Sequence, residues 1–402
     1  MFLDLNCYSQ NGVCLKKSQW IVGILALVAL VALVLWARAH VHFDFHVLAS
    51  QVALADWRMI VFATLCIYFN FAFRAVRWSQ LVRHTQNVPP MSLLGSQVIG
   101  FTAVALIGRV ADPVRPYLVA KKTGLSLSTQ VAVYIVERLL DAGSVALIFS
   151  IAMIWVPSDA ILNATARTGS LAYLASHHRL LALFVVRYGG LVLTLLGTLF
   201  LIAVRLAGGP VAAFFERSFG MVSKNLGQSV GGKIRMFHSG LDTMRSFRDF
   251  AVVVGLSLSM WMLISFAYFE TCRAFTASPE LAGITVPQSV LLMVASGTAS
   301  IIQLPVIGWF SQIGLVVVAL TGILGANAEA ATACAATLLL VTFLGIVPVG
   351  LIWARFEHVS LRKVATESEQ AEERAEESLE AGETVSSPDR EKRAKDDASG
   401  ER

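Results

Sequence analysis

Residues 128–156 read STQVAVYIVERLLDAGSVALIFSIAMIWV. A spanning helix needs about 20 mainly apolar residues to cross a hydrocarbon core of about 30 Å, and this run is long enough. It nevertheless carries Glu137, Arg138 and Asp141 in its interior. Charged side chains at such depth are rare and by default mark an ion, proton or substrate path. If the helix enters at Leu127, a rise of about 1.5 Å per residue sets the acids roughly 15–21 Å in. Glu137 and Asp141 lie one turn apart on one face, and Arg138 reaches Asp141 at i, i+3. Glu137 then lacks a local partner, and Arg109 or Arg115 is expected to supply one. A purely structural ion pair is the plain alternative.

The rest of the chain agrees with a membrane setting. Of 402 residues, 56% are hydrophobic and 15% charged, against about 45–50% and about 25% in soluble chains. A water-facing surface of ordinary extent cannot be built from that composition. The +5 net charge divides into +12 over residues 1–363 (26 bases, 14 acids) and −7 over 364–402 (6 bases, 13 acids). The acidic segment 356–402 reads as a largely disordered cytoplasmic tail that buries no core, with room for a solvated helix near 367–381. Cys7, Cys14, Cys66, Cys272 and Cys334 show no CxxC spacing, so no disulfide or zinc framework is implied.

Six full spans are expected near 19–37, 57–73, 128–156, 181–204, 249–270 and 329–354. The first follows a cytoplasmic N-terminus (1–18) and exceeds a signal-peptide core of about 7–15 residues, which makes it an uncleaved anchor. The stretches 91–107 and 287–325 are apolar but interrupted, and read as re-entrant broken hairpins. With the N-terminus inside, 19 of the 26 bases outside the tail fall on the cytoplasmic side, as the positive-inside rule asks. A full crossing at 91–107 would instead export Arg109, Arg115, Lys121 and Lys122 together. The expected fold is therefore all-α, a polytopic bundle over 19–355 in the inner membrane with both termini cytoplasmic. Its halves, 19–156 and 181–354, start on opposite sides and form a candidate inverted repeat, a layout of many secondary transporters.

The first hairpin turns at Gly108-Arg109-Val110-Ala111-Asp112-Pro113-Val114-Arg115-Pro116-Tyr117, where Pro113 and Pro116 forbid a continuous helix. Broken backbone at depth is tolerated only beside protein or a water-filled cavity. Arg109 and Asp112 can pair, which leaves Arg115 as the uncommitted cation whose guanidinium can grip two phosphate oxygens. Tyr117 is counted with this binding set. The second hairpin, SGTASIIQLPVIGWFSQ (296–312), breaks at Gly297, Pro305 and Gly308 and offers neutral hydrogen bonds. Pro305, Gly308 and Gln312 join the candidate substrate-binding residues. Arg74, Arg77 and Trp78 close the second span in the order of an interfacial anchor. Residues 206–248 read as an amphipathic cytoplasmic loop that lies on the inner surface as a helix or two.

Other chemistry finds little support. Gly227–Lys233 fits GxxxxGK, but Ile234 stands where a P-loop needs Ser or Thr, and no strand precedes it. His40, His42 and His46 are more simply amphipathic than metal-binding. No metal, cofactor or nucleic acid is expected.

The collected residues resemble the lysylphosphatidylglycerol synthase transmembrane region, a flippase-like family. The resemblance runs through Arg77-Trp78, the GRxGDxxR-like element (Gly108, Arg109, Asp112, Arg115), the Glu137-Arg138-x-x-Asp141 helix and the late Pro/Gly-rich hairpin. It covers about residues 15–355. Where the family's late segment looks like PGGxGxxE, this chain has one glycine fewer and Gln312 in place of the acid, and Ala111 stands where Gly is common. The family's soluble aminoacyl-transferring domain has no counterpart in the short tail, so aminoacyl-lipid synthesis is not implied.

The resemblance implies a lipid ligand, and with the charged, broken-helix residues the leading expectation is a protein that moves, or at least binds, an anionic or isoprenoid-linked lipid. Arg109 and Arg115 would meet phosphate, Asp112 would orient Arg109, and Glu137 with Asp141 would gate or carry a proton; with no ATPase motif, translocation would be ATP-independent. The alternative is a membrane-embedded enzyme, or an accessory subunit, acting on lipid-linked sugars or phosphates. Expected partners are membrane lipids, with a second copy or a lipid-synthesis enzyme as further candidates.

Overall fold

The structure, a computed structural model, describes residues 44–83, 85–158, 177–221, 223, 230–232, 247–299, 307–357, 359–361, 364–368 and 371. The expected first span at 19–37 and Pro305 lie outside the described residues, as does most of the tail. Among the described residues the chain is all-helical. Its elements are α1 (Phe45–Ala53), α2 (Trp57–Val82), α3 (Pro90–Ile107), a 3-10 turn at Arg109–Ala111, α4 (Val114–Thr123), α5 (Leu127–Ile154), α6 (Arg179–Gly220) and α7 (Phe247–Arg273). They continue with α8 (Pro279–Ala282), α9 (Val286–Ala299), α10 (Ile307–Ala319), α11 (Ala328–Leu339) and α12 (Ile346–Phe356), with π-turns at Leu320–Leu324 and Leu340–Leu344.

Among the described residues, five stretches are long and apolar enough to cross a membrane: Trp57–Val82, Pro90–Ile107, Arg179–Gly197, Arg248–Arg273 and Ala328–Phe356. The α5 helix matches them in length, with 28 residues, but carries the three charges. Side-chain caps start several of these helices by satisfying free amides. Asp56 accepts from the Arg58 amide at 3.0 Å, Ser126 from Thr129 at 3.3 Å and Asn327 from Ala330 at 2.7 Å.

The chain reverses where the sequence predicts, by a different device. Gly108 sits at φ 93°, a conformation that side chains avoid, and ends α3. Pro113 caps α4 and Pro116 lies in its first turn, where a missing amide costs nothing. The two arms are antiparallel, because Gly100, eight residues before Gly108, packs on Arg115, seven after it. The hairpin thus returns toward the end from which it started.

Across the molecule, α2 packs along α7. Four further contacts keep their pattern when the halves are exchanged: α2·α3 matches α7·α9, α3·α4 matches α9·α10, α4·α5 matches α10·α11, and α3·α12 matches α5·α9. Near the turns the two hairpins touch, the Trp309 indole donating to the Ala105 carbonyl at 3.2 Å.

Two expectations need correction. The second span does not stop near Phe73, since α2 runs to Val82 with Leu81 and Val82 fully buried. The first part of 206–248, read as amphipathic helix, is indeed helical: it continues α6 to Gly220, kinked at Ala207, because Pro210 cannot donate to the preceding turn; the rest is largely outside the described residues. The start of the tail does bury a core. Val364 and Ala365 join a cluster with Ile99, Val114 and Leu118, while Lys122 meets Glu357 at 2.8 Å and the Tyr117 hydroxyl donates to Glu367 at 3.1 Å.

Candidate functional site

Four arginines and two carboxylates converge where α2, α3, α4 and α5 meet. Glu137 Oε1 lies 3.2 Å from Arg74, 2.7 Å from Arg77, 3.1 Å from Arg115 and 3.0 Å from Arg138. Asp141 lies 2.6 Å from Arg77, 3.2 Å from Arg138 and 3.7 Å from Arg74. Helix geometry places these side chains in one layer. Counting about 1.5 Å per residue, Arg77 and Arg74 lie about 8 and 12 Å from the end of α2. Gln97 lies about 10 Å from the start of α3, Arg115 about 12 Å from the end of α4 and Glu137 about 15 Å from the start of α5.

The surroundings hold the cluster rigidly. Arg115 donates to Gln97 at 3.3 Å, and its guanidinium lies over the rings of Phe101 (4.5 Å), Tyr134 (5.1 Å) and Trp78 (5.8 Å). Such cation–π contacts replace part of the lost hydration. The Trp78 indole is tied to Gln130 at 2.8 Å. From the second half of the chain, Ser257 accepts from Arg77 at 2.8 Å and the Trp261 indole donates to Asp141 at 3.2 Å.

If all six groups are charged, the cluster carries two more positive than negative charges. Burying unbalanced charge is costly, and here Arg77 and Arg115 are each 1% exposed. A cluster so composed favours an added anion, and the Arg fork suits phosphate oxygens. Glu137 Oε2 and Arg115 Nε are also buried without a hydrogen-bond partner. Chemically the site therefore offers both a donor set for an anion and an acceptor for a hydroxyl or a proton.

The expected partner of Glu137 is present in Arg115, and Arg138 does reach Asp141. Arg115 is not uncommitted, because the hairpin brings it onto Glu137. Arg74, Arg77 and Trp78 are not interfacial anchors: all three are buried, and the two arginines are cluster members. Arg109 pairs with Asp112 at 3.7 Å, both partly exposed near the turn, and Tyr117 faces the tail rather than the acids. Gly308 is buried, and Gln312 belongs to a separate neutral group, donating to Ser296 at 2.9 Å, which also accepts from Tyr268 at 2.8 Å. That group lies on α7, α9 and α10, the exchange counterparts of α2, α3 and α4.

Gly100 permits the cluster. A Cβ added there would fall on Arg115 Cγ, so Gly100→Val is expected to push Arg115 off Glu137. The measurable outcome is a loss of thermal stability in detergent comparable with that of Arg115→Ala.

Two apolar cavities adjoin the site. One, of about 270 Å³, lies between α5, α6 and α7. The other, of about 490 Å³, is lined from α2, α5, α7 and α9. Among known proteins, the family model for the lysylphosphatidylglycerol synthase TM region matches residues 20–351. No curated protein and no solved structure matches the chain.

Proposed function

The chain belongs to the lysylphosphatidylglycerol synthase TM region family, and from that premise we propose that it binds an anionic membrane lipid by its phosphate and moves it between leaflets. The observation that carries this reading is the excess of four arginines, three of them buried, over two buried carboxylates where a broken hairpin meets α2 and α5. An anion that enters such a site gains charge-assisted hydrogen bonds and removes the imbalance. Arg115 and Arg138 receive the phosphate, and Glu137 accepts from a headgroup hydroxyl or takes up a proton as the anion leaves. Arg109, oriented by Asp112 at the hairpin turn, is a further headgroup contact beyond the cluster. Without a nucleotide-binding motif in the sequence, movement is downhill or ion-coupled. The protein resides in the inner membrane with both termini cytoplasmic, as the distribution of its bases supports.

The test is leaflet accessibility of labelled phospholipids and polyprenyl phosphates in proteoliposomes. Wild type is expected to equilibrate at least one anionic lipid, and Arg115→Ala to slow it at least tenfold. Equal rates in both proteins would remove Arg115 from the site, and no movement by wild type across the panel would overturn the proposal.

A further inference from the structure

Helices α5 and α6 touch at one level and part at the next. At Gly190 of α6 a Cβ would collide with Ser150 and Ala146 of α5, so the backbones are in contact there. A little further along the Thr194 hydroxyl of α6 still reaches the Gly143 carbonyl at 3.4 Å, but a Cβ added at Gly143 or Gly197 meets nothing within 4 Å, which leaves a gap beside that contact. With Val254 and Leu258 of α7 as the third wall, the gap is the apolar groove of about 270 Å³.

The groove ends at the charged cluster. Its lining residue Ala142 lies one turn beyond Arg138 on the same face of α5, and Leu258 lies one turn before Trp261, which holds Asp141. Arg138 is also the most open arginine of the four. Its side chain is 37% exposed, against 1–7% for Arg74, Arg77 and Arg115.

We propose that this groove is a lipid-binding site that seats one acyl chain of an anionic glycerophospholipid, with Arg138 as the first contact of its phosphate and the α5–α6 gap as the lateral entry to the cluster. The inference rests on the lipid-handling reading above and names its substrate class. Charge complementarity supplies the occupant: an excess of arginine with its one open member at the groove edge selects an anionic headgroup. The groove's volume of about 270 Å³ takes part of a single acyl chain.

The test is photo-labelling of the full chain in phosphatidylcholine vesicles doped with phosphatidylglycerol carrying a diazirine on its acyl chain, followed by mass-spectrometric mapping. Adducts are expected on the α5 and α6 lining residues of wild type. Unlabelled phosphatidylglycerol should compete for them, while added phosphatidylcholine should not. Gly197→Leu, which fills the groove without a clash at its Cβ, should lower those adducts at least fivefold and leave adducts elsewhere unchanged. Arg138→Gln should lower the same adducts. Uniform labelling that neither variant changes overturns the site, and stronger competition by polyprenyl phosphate overturns the occupant. If Gly197→Leu does not fold, Gly143→Leu makes the same measurement from the opposite wall. Groove adducts in a wild type that moves no lipid would uphold the binding site while defeating translocation. Lipid movement with uniform labelling would do the reverse.

Discussion

Glu137→Gln is expected to abolish lipid movement in proteoliposomes and to destabilise the protein by about 3–5 kcal/mol, the cost of leaving buried charge without its partner. The residue is the hub of the cluster, since one of its oxygens stands within 3.2 Å of Arg74, Arg77, Arg115 and Arg138. Replacing its carboxylate by an amide raises the cluster's excess from two positive charges to three and sets amide hydrogens among guanidinium donors. Arg115 depends on Glu137 and the neutral Gln97 alone among the polar partners found for it, so it should be displaced most. The same change at Glu280, exposed in α8, removes a surface charge and should leave both stability and movement near wild type. Unfolding in mixed micelles and leaflet accessibility measure the two effects separately. A Glu137→Gln protein as stable as wild type would show that the cluster is not held as the distances require.

Part of this arrangement could be read before any coordinates. Three charges inside a long apolar run announce a buried cluster, and Arg115 was a sound candidate partner because a turn between two apolar arms brings it back to the depth of Glu137. The i, i+3 pair of Arg138 with Asp141 follows from one helix alone. Arg74 and Arg77 were misplaced because an arginine pair with a tryptophan after an apolar run looks the same at an interface and in a buried layer. The distinguishing signal was further along. Leu81 and Val82 resume the apolar pattern one turn beyond Trp78, so α2 continues inward of its supposed end. Ser257 and Trp261 could not be found in this way. They lie on a helix about 180 residues from Arg77 in sequence, and only the packing of α2 along α7 brings them to the acids. The tail misled by composition. Its many acids hide Val364 and Ala365, which suffice to pin its first turns to α4.

A double substitution separates holding the fold from handling a ligand. In Arg115→Leu with Glu137→Leu, one positive and one negative charge leave together, so Asp141 still faces Arg74, Arg77 and Arg138 and the excess remains two. Replacing both members of a buried pair by apolar groups of similar size is often neutral or stabilising, whereas removing one is not. The double variant should therefore regain most of the about 3–5 kcal/mol lost in Glu137→Gln, and a double-mutant cycle should return a coupling well above the additive expectation for distant sites. Lipid movement should stay lost, because the excess charge persists but the Arg115 fork and the Glu137 acceptor are gone. If the cluster only braces the helices, stability and lipid movement should recover together. A stable double variant that moves lipid at the wild-type rate would assign Arg115 and Glu137 to structure alone, and the anion site would then have to be sought at Arg109 and Asp112 on the hairpin turn.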